Sequence, residues 1–321
     1  MKVLVSDALS EVGVKIFQET PGIEVDVITG LSPEELKEII GKYNALVIRS
    51  ATKVTEDIIM AASNLKIIGR AGIGLDNVDI PVASRQGIVV MNTPYGNTVT
   101  TAEHTIAMIM ALSRNIPQAT ASLKDGKWEK KKFRGCELFN KTLGLIGVGN
   151  IGRIVADRAK GLKMKVIIYD PYIKPETIEE LDVESVSLDE LLKRSDYVTI
   201  HTPKTDETTN LINKETLAKM KKGAMLINCA RGGIVNEDDL YEALKSGHLW
   251  GAAIDVFSTE PPGKNKLLEL NNFICTPHLG ASTNEAQINV ARDVAEQIVA
   301  YLLEGTVKNA VNIHSISGDL K

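Results

Sequence analysis

Short β-branched runs alternate with amphipathic segments along the first hundred residues. Val3–Val5, Val25–Ile28, Ala45–Ile48, Ile67–Ile68 and Ile88–Val90 have the continuous apolar character of strands buried on both faces. Helical stretches lie between them. Ser32-Pro33-Glu34-Glu35 supplies an N-cap, a proline at the first helical position and a glutamate at the third, and Thr55 precedes Glu56–Ala62 in a similar way. This alternation predicts a parallel sheet covered on both faces.

A second series begins near Thr142. Leu143–Ile146, Val166–Tyr169, Val198–Ile200, Met225–Asn228, Ala252–Asp255 and Phe273–Cys275 read as six strands, the number a doubly wound dinucleotide fold requires. Helical segments at Ile151–Gly161, Leu188–Lys193 and Glu237–Ser246 separate most of them, the last with Asn236 as its N-cap. Two helices fall outside this count. Thr100–Leu112 is apolar on most sides, and Ala291, Val294, Ala295, Ile298, Val299 and Leu302 form one stripe near the C-terminus. Both are expected to be crossovers joining two domains.

Composition changes this picture mainly by exclusion. A chain of 321 residues has room for two domains and an ample core without disulfides. With 44% hydrophobic and 24% charged residues, global disorder is ruled out. The net charge of −4 leaves no electrostatic footprint for nucleic acid, and the basic run Lys127–Lys132 reads as a solvated face. No apolar stretch has the length of a membrane span, and Asp7 interrupts any signal-peptide core. Three separated cysteines without a CxxC pair fit a reducing compartment. The expectation is a cytoplasmic protein with a small-molecule substrate, no metal, and neither nucleic acid nor membrane as partner.

The chemistry concentrates at strand ends. Gly147-Val148-Gly149-Asn150-Ile151-Gly152 follows a predicted strand and opens a predicted helix, and Asp170 ends the next strand 18 residues later. In such a turn Gly147 permits the tight bend, Gly149 lets backbone approach a pyrophosphate, and Gly152 allows close helix–strand packing. The helix N-terminus favours phosphate. Asp170 would accept from the adenosine ribose hydroxyls and repel a 2′-phosphate, so NAD is expected rather than NADP.

Hydride chemistry on an alcohol needs a base and a cation besides the cofactor. Of the five histidines, His104 sits in an apolar helix, His201 follows a strand, His248 is in a turn and His314 is in the tail. His278 follows the last predicted strand, and Glu260 lies in the loop after the preceding strand, so their side chains can meet. A carboxylate beside an imidazole fixes its tautomer and stabilises its protonated form. Arg231, in Asn228-Cys229-Ala230-Arg231-Gly232-Gly233, also follows a strand, and its fork can hold a carboxylate bidentately.

Gly147–Gly152 with Asp170, Asn228–Gly233, Asp255–Pro262 and Thr276–Thr283 together resemble the D-isomer-specific 2-hydroxyacid dehydrogenase family. Arg49–Thr55, Gly69–Asp79, Met91–Pro94 and Ala119–Trp128 carry the likeness further, from the first residue to about residue 313. The resemblance implies an α/β protein of two doubly wound parallel-sheet domains. A Rossmann NAD-binding domain, 99–284, would be inserted into a flavodoxin-like substrate domain made of 1–98 and 285–321. Arg231, Glu260 and His278 would be the catalytic trio. Asn150, Ile151, Asp170, Thr202, Cys229, Ala230, Asp255 and Gly280 would join the glycine turn in contacting NAD, and Arg49, Ser50, Gly72 and Asn97 would contact substrate.

The implied reaction is NAD-dependent oxidation of 3-phospho-D-glycerate at C2. Arg49, Arg70 and Arg134 are available for its phosphate. The alternatives are another 2-hydroxyacid, of the glyoxylate, hydroxypyruvate or D-lactate type, and a non-catalytic NAD-sensing protein. A homodimer built around Thr100–Arg134 is implied, with a tetramer left open. Many family members continue into amino-acid-binding regulatory modules. Ending at Lys321 in the polar run 315–321, this chain is expected to lack one, and serine feedback with it.

Overall fold

In the computed structural model, which describes residues 1–316, every strand pairing within the two sheets is parallel. β1 (Lys2–Val5), β2 (Glu24–Val27), β3 (Ala45–Ile48), β4 (Ile67–Arg70) and β5 (Val89–Asn92) make one sheet in the order β2-β1-β3-β4-β5. This is the flavodoxin-like order. The second sheet contains β6 (Thr142–Ile146), β7 (Lys165–Tyr169), β8 (Glu184–Ser185), β9 (Tyr197–Ile200), β10 (Met225–Asn228), β11 (Gly251–Ile254) and β12 (Phe273–Cys275). Its order, β12-β11-β10-β9-β6-β7-β8, is that of a dinucleotide-binding sheet with a seventh strand added beyond β11.

Six strands were expected in the second sheet and seven are present. β8 escaped because it is two exposed polar residues on the sheet edge, with no apolar run to mark it. The apolar runs were legible because both faces of each sheet are covered. Successive residues of a strand point to opposite faces, so Leu145, Ile168 and Ile227 enter one core while Ile146, Ile167 and Leu226 enter another. The smaller sheet divides likewise, with Leu4, Leu46 and Ile68 on one side and Val3, Val47 and Ile67 on the other.

The chain falls into two compact units, Met1–Asn97 with the described residues from Ala281 on, and Thr98–Gly280. The two helices outside the predicted strand count have definite places. Thr98–Ser113 packs on the helix Asn150–Gly161 and on β10, β11 and β12. Asn284–Glu304 packs on the helix Glu11–Glu19 and on β4, burying Val290, Val294, Ala295, Ile298 and Leu302. The capping signals divide. Ser32 and Glu35 form the reciprocal capping box, and Asn236 accepts from the Asp239 N–H. Thr55 occupies the N-cap position but its hydroxyl makes no capping bond. No helix of the described residues is long and apolar enough to cross a membrane. Of the polar run 315–321, residues 317–321 lie outside the described residues.

Candidate active site

The glycine turn stands at the carboxyl end of β6. Gly147 has φ +89°, a conformation that favours glycine, and a Cβ there would lie 2.7 Å from Thr202 Cγ2. A Cβ at Gly152 would run into the Gly147 carbonyl, whereas one at Gly149 would have none of the described residues within 4 Å. The first and third glycines therefore serve packing and the second leaves an open side. No side chain caps the helix Asn150–Gly161 that follows, and Asn150 and Ile151 form its first turn. Asp170, past the end of β7, accepts from the Val148 N–H at 2.8 Å and from the Tyr172 N–H at 2.9 Å. His201 Nδ1 and Thr202 Oγ1, beside Gly147, are buried without a hydrogen-bond partner among the described residues. Backbone open on one side, an uncapped helix start, a carboxylate and two orphaned polar atoms suit a dinucleotide's phosphates, ribose and base.

His201 carries a pH consequence. Burial pushes its imidazole down to about 3, so it is neutral in the folded chain. The unfolded chain binds the proton near pH ~6.5. Protonation thus favours unfolding, and stability falls as pH drops from ~6.5 towards 3. His201→Asn is expected to flatten the urea-midpoint profile between pH 6.5 and 4. A profile as steep as that of the parent chain would assign the acid sensitivity to other groups.

His278 and Glu260 are in direct contact, Nδ1 to Oε2 at 2.7 Å. The other Glu260 oxygen accepts from the Phe257 N–H at 3.0 Å. With the histidine side chain 49% and the glutamate 38% exposed, such a pair contributes at most ~1 kcal/mol to stability, so stability alone gives little reason for it. His278 is also left-handed, with φ +55°, a backbone state costing a non-glycine residue ~1–2 kcal/mol. A nest of three consecutive amides holds it there. The His278 N–H donates to the Asp255 carbonyl at 2.9 Å, and the Leu279 and Gly280 N–H groups donate to the Asp255 carboxylate at 2.7 and 2.8 Å.

Asp255 is wholly buried. Burial alone would push its carboxyl up, but bonds from His104, Thr276 and the Leu279 amide outweigh that and hold it below its ordinary value. Expected as a cofactor contact, it spends both oxygens on the protein. His104, read from the sequence only as a helix residue, stands 3.1 Å from Thr276 Oγ1 and 3.4 Å from Asp255 Oδ1.

Arg231 follows β10 in a turn pinned by Asn228, whose side chain donates to the Arg231 carbonyl at 2.9 Å and accepts from the Ala230 N–H at 3.0 Å. Next to it, a Cβ on Gly232 would strike the Phe257 carbonyl, so the Arg231 turn abuts the loop carrying Glu260. Cys229 is buried, and burial pushes its thiol up to about 12, which leaves it inert as a nucleophile.

In the other unit, Asp7 organises the Arg49 segment. It accepts from the Arg49 N–H at 2.6 Å and from the Thr52 hydroxyl at 2.7 Å, while Asn77 donates to the Arg49 and Thr52 carbonyls. Burial lowers the Arg49 guanidinium below its ordinary value, with the Asp7 carboxylate acting against that. Ser50 lies between these anchors and is exposed. Gly72 has φ +143°, and a Cβ there would run into the Arg70 guanidinium. Asn97 is buried. Asp7 was missed as an anchor, although its place two residues past a predicted strand was the signal.

Two sheets of these orders, with the glycine turn and the His–Glu pair at the carboxyl ends of the larger, define a nicotinamide-dinucleotide-binding α/β protein. Residues 106–280 match the model of the D-isomer specific 2-hydroxyacid dehydrogenase, NAD binding domain, and the chain belongs to that family. It is similar to the D-3-phosphoglycerate dehydrogenases of Synechocystis sp., 54% identical over 99% of this chain and 57% of the relative, and of Homo sapiens, 49% identical over 98% and 59%. The chain thus spans less than two thirds of the length of these curated relatives. The TT0316 protein of Thermus thermophilus is similar in structure, with TM-score 0.89, 37% identity, and 97% of this chain and 100% of that one covered.

Proposed function

We propose that the protein oxidises 3-phospho-D-glycerate at C2 to 3-phosphohydroxypyruvate with NAD, the entry step of a phosphorylated route to serine. The observation carrying the reading is the 2.7 Å contact of His278 Nδ1 with Glu260 at the carboxyl edge of the NAD-binding sheet. With Nδ1–H donating to the carboxylate, Nε2 keeps its lone pair and is the base that takes the hydroxyl proton. Glu260 stabilises the imidazolium that results. Arg231 clamps the C1 carboxylate and polarises the developing C2 carbonyl. When bound, NAD accepts the hydride. Gly147, Gly149, Asn150, Ile151, Gly152, Asp170, Thr202, Cys229, Ala230, Asp255 and Gly280 would hold or border it.

The choice of substrate rests on the similarity to relatives named D-3-phosphoglycerate dehydrogenase. Within this reading the unit containing β1–β5 is the substrate domain, with Arg49, Ser50, Gly72 and Asn97 contacting substrate. A panel of 2-hydroxyacids assayed by NADH absorbance tests it. Preference for a non-phosphorylated acid would replace the substrate, and no turnover with any would leave a sensing role.

The three free cysteines suit a reducing compartment, the cytoplasm. The proposal includes a homodimer through the 100–134 region, where Met110, Ile116, Leu123 and Trp128 are exposed, Trp128 by 83%. Leu123→Asp combined with Trp128→Glu is expected to halve the mass seen by light scattering. An unchanged mass would move the interface elsewhere.

A further inference from the structure

We infer that Glu237 is a positioning residue for Glu260, an inference that rests on the reading of His278 and Glu260 as the acid/base pair. Glu260 sits in the loop 257–264, which is exposed over most of its length. Among the described residues, this loop makes no backbone–backbone hydrogen bond. The Phe257 N–H is spent on Glu260 itself, inside the loop. The buried Phe257 ring meets Phe273 edge-on, and nothing comparable anchors the residues beyond it.

Glu237 supplies what the backbone does not. Its Oε1 accepts from the Ser258 N–H at 2.6 Å and its Oε2 from Asn265 Nδ2 at 2.6 Å, so one carboxylate ties down both ends of the loop. Hydrogen bonds to a charged acceptor at this distance are the strong kind. The carboxylate is itself fixed. Glu237 opens the helix Glu237–Lys245, which Asn236 caps and which buries Leu240 and Leu244. A cavity of about 350 Å³ beside the loop, lined by Asn236, Glu237, Tyr241, Ser258, Lys264 and Asn265 among others, is more polar than apolar. Without Glu237, Glu260 would keep its bond to Phe257 N–H but lose the frame that aims it at His278.

The test exploits donor and acceptor polarity. In Glu237→Gln the amide oxygen can still accept from Ser258, but its NH₂ then opposes the NH₂ of Asn265. Asn265 cannot turn over freely, because its Oδ1 accepts from the Leu267 N–H at 3.0 Å. E237Q is therefore expected to lower kcat about tenfold with KM for substrate nearly unchanged, since misplacement of a reacting group costs rate before affinity. Amide exchange at Ser258, read on the protein without cofactor, is expected to quicken. Adding Asn265→Asp restores a donor–acceptor pair while keeping the Leu267 contact, and E237Q/N265D should regain most of the lost kcat and slow the exchange again.

Wild-type kcat in E237Q, or an E237Q/N265D variant as slow as E237Q, would overturn the role. His278→Asn serves as the control. If it keeps turnover, the acid/base reading fails and this role with it. If it is inactive while E237Q is normal, the role of Glu237 alone fails.

Discussion

His278→Asn is expected to lower kcat by about 10²–10⁴-fold, the usual contribution of a positioned general base, while NAD affinity is retained. Asparagine is the informative replacement because the backbone at 278 is left-handed, φ +55°, a state that asparagine tolerates better than alanine does. The nest on Asp255 uses main-chain N–H groups, so it survives the substitution. What disappears is Nε2 and the pairing with Glu260. NAD affinity, followed by protein fluorescence or calorimetry, should persist because the glycine turn and Asp170 follow β6 and β7, whereas residue 278 follows β12. Near-normal turnover in H278N would remove the acid/base assignment. Loss of NAD binding together with turnover would show that the loop 276–280 had collapsed, and His278→Ala would then be expected to behave no worse.

Much of this site was legible because the chemistry sits in contiguous residues. A pyrophosphate-binding turn needs its glycines two and three positions apart, so Gly147, Gly149 and Gly152 announce themselves, and Asp170 follows from strand length. The meeting of His278 with Glu260 was reachable by one further step. Residues following adjacent parallel strands share an edge, and β11 and β12 are adjacent. The anchors behind the site were not legible. Asp7 acts on Arg49 and Thr52 more than forty positions away, and Glu237 acts on Ser258 across 21. Such partners are selected by the path of loops that have no periodicity. Local signals also mislead where geometry decides. Thr55 and Ser32 look alike in sequence, yet only Ser32 turns its oxygen to the helix N-terminus. The groups proposed to react are therefore written locally, whereas their support is written in tertiary contacts.

Arg231→Lys is expected to lower kcat/KM by about 10²–10³-fold, with the loss divided between a raised KM and a lowered kcat. Lysine keeps the positive charge, so the substitution isolates the guanidinium fork from charge alone. The fork matters because two donors must serve two acceptors that differ along the reaction. In the proposed reaction the C1 carboxylate is present throughout, and its weaker grip raises KM. Negative charge on the C2 oxygen develops only as the proton leaves, and losing its donor lowers kcat. A lysine ammonium cannot compensate by moving the turn. Asn228 pins the Arg231 carbonyl from one side, and Gly232 lies against the Phe257 carbonyl on the other. Arg231→Ala should fall further than R231K by the worth of the charge, and NAD affinity should be the same in both. Equal kinetics for R231K and the parent would make Arg231 a surface cation and leave the carboxylate to be recognised by the Arg49 segment. Equal damage from R231K and R231A would mean that geometry, rather than charge, accounts for the whole of its effect.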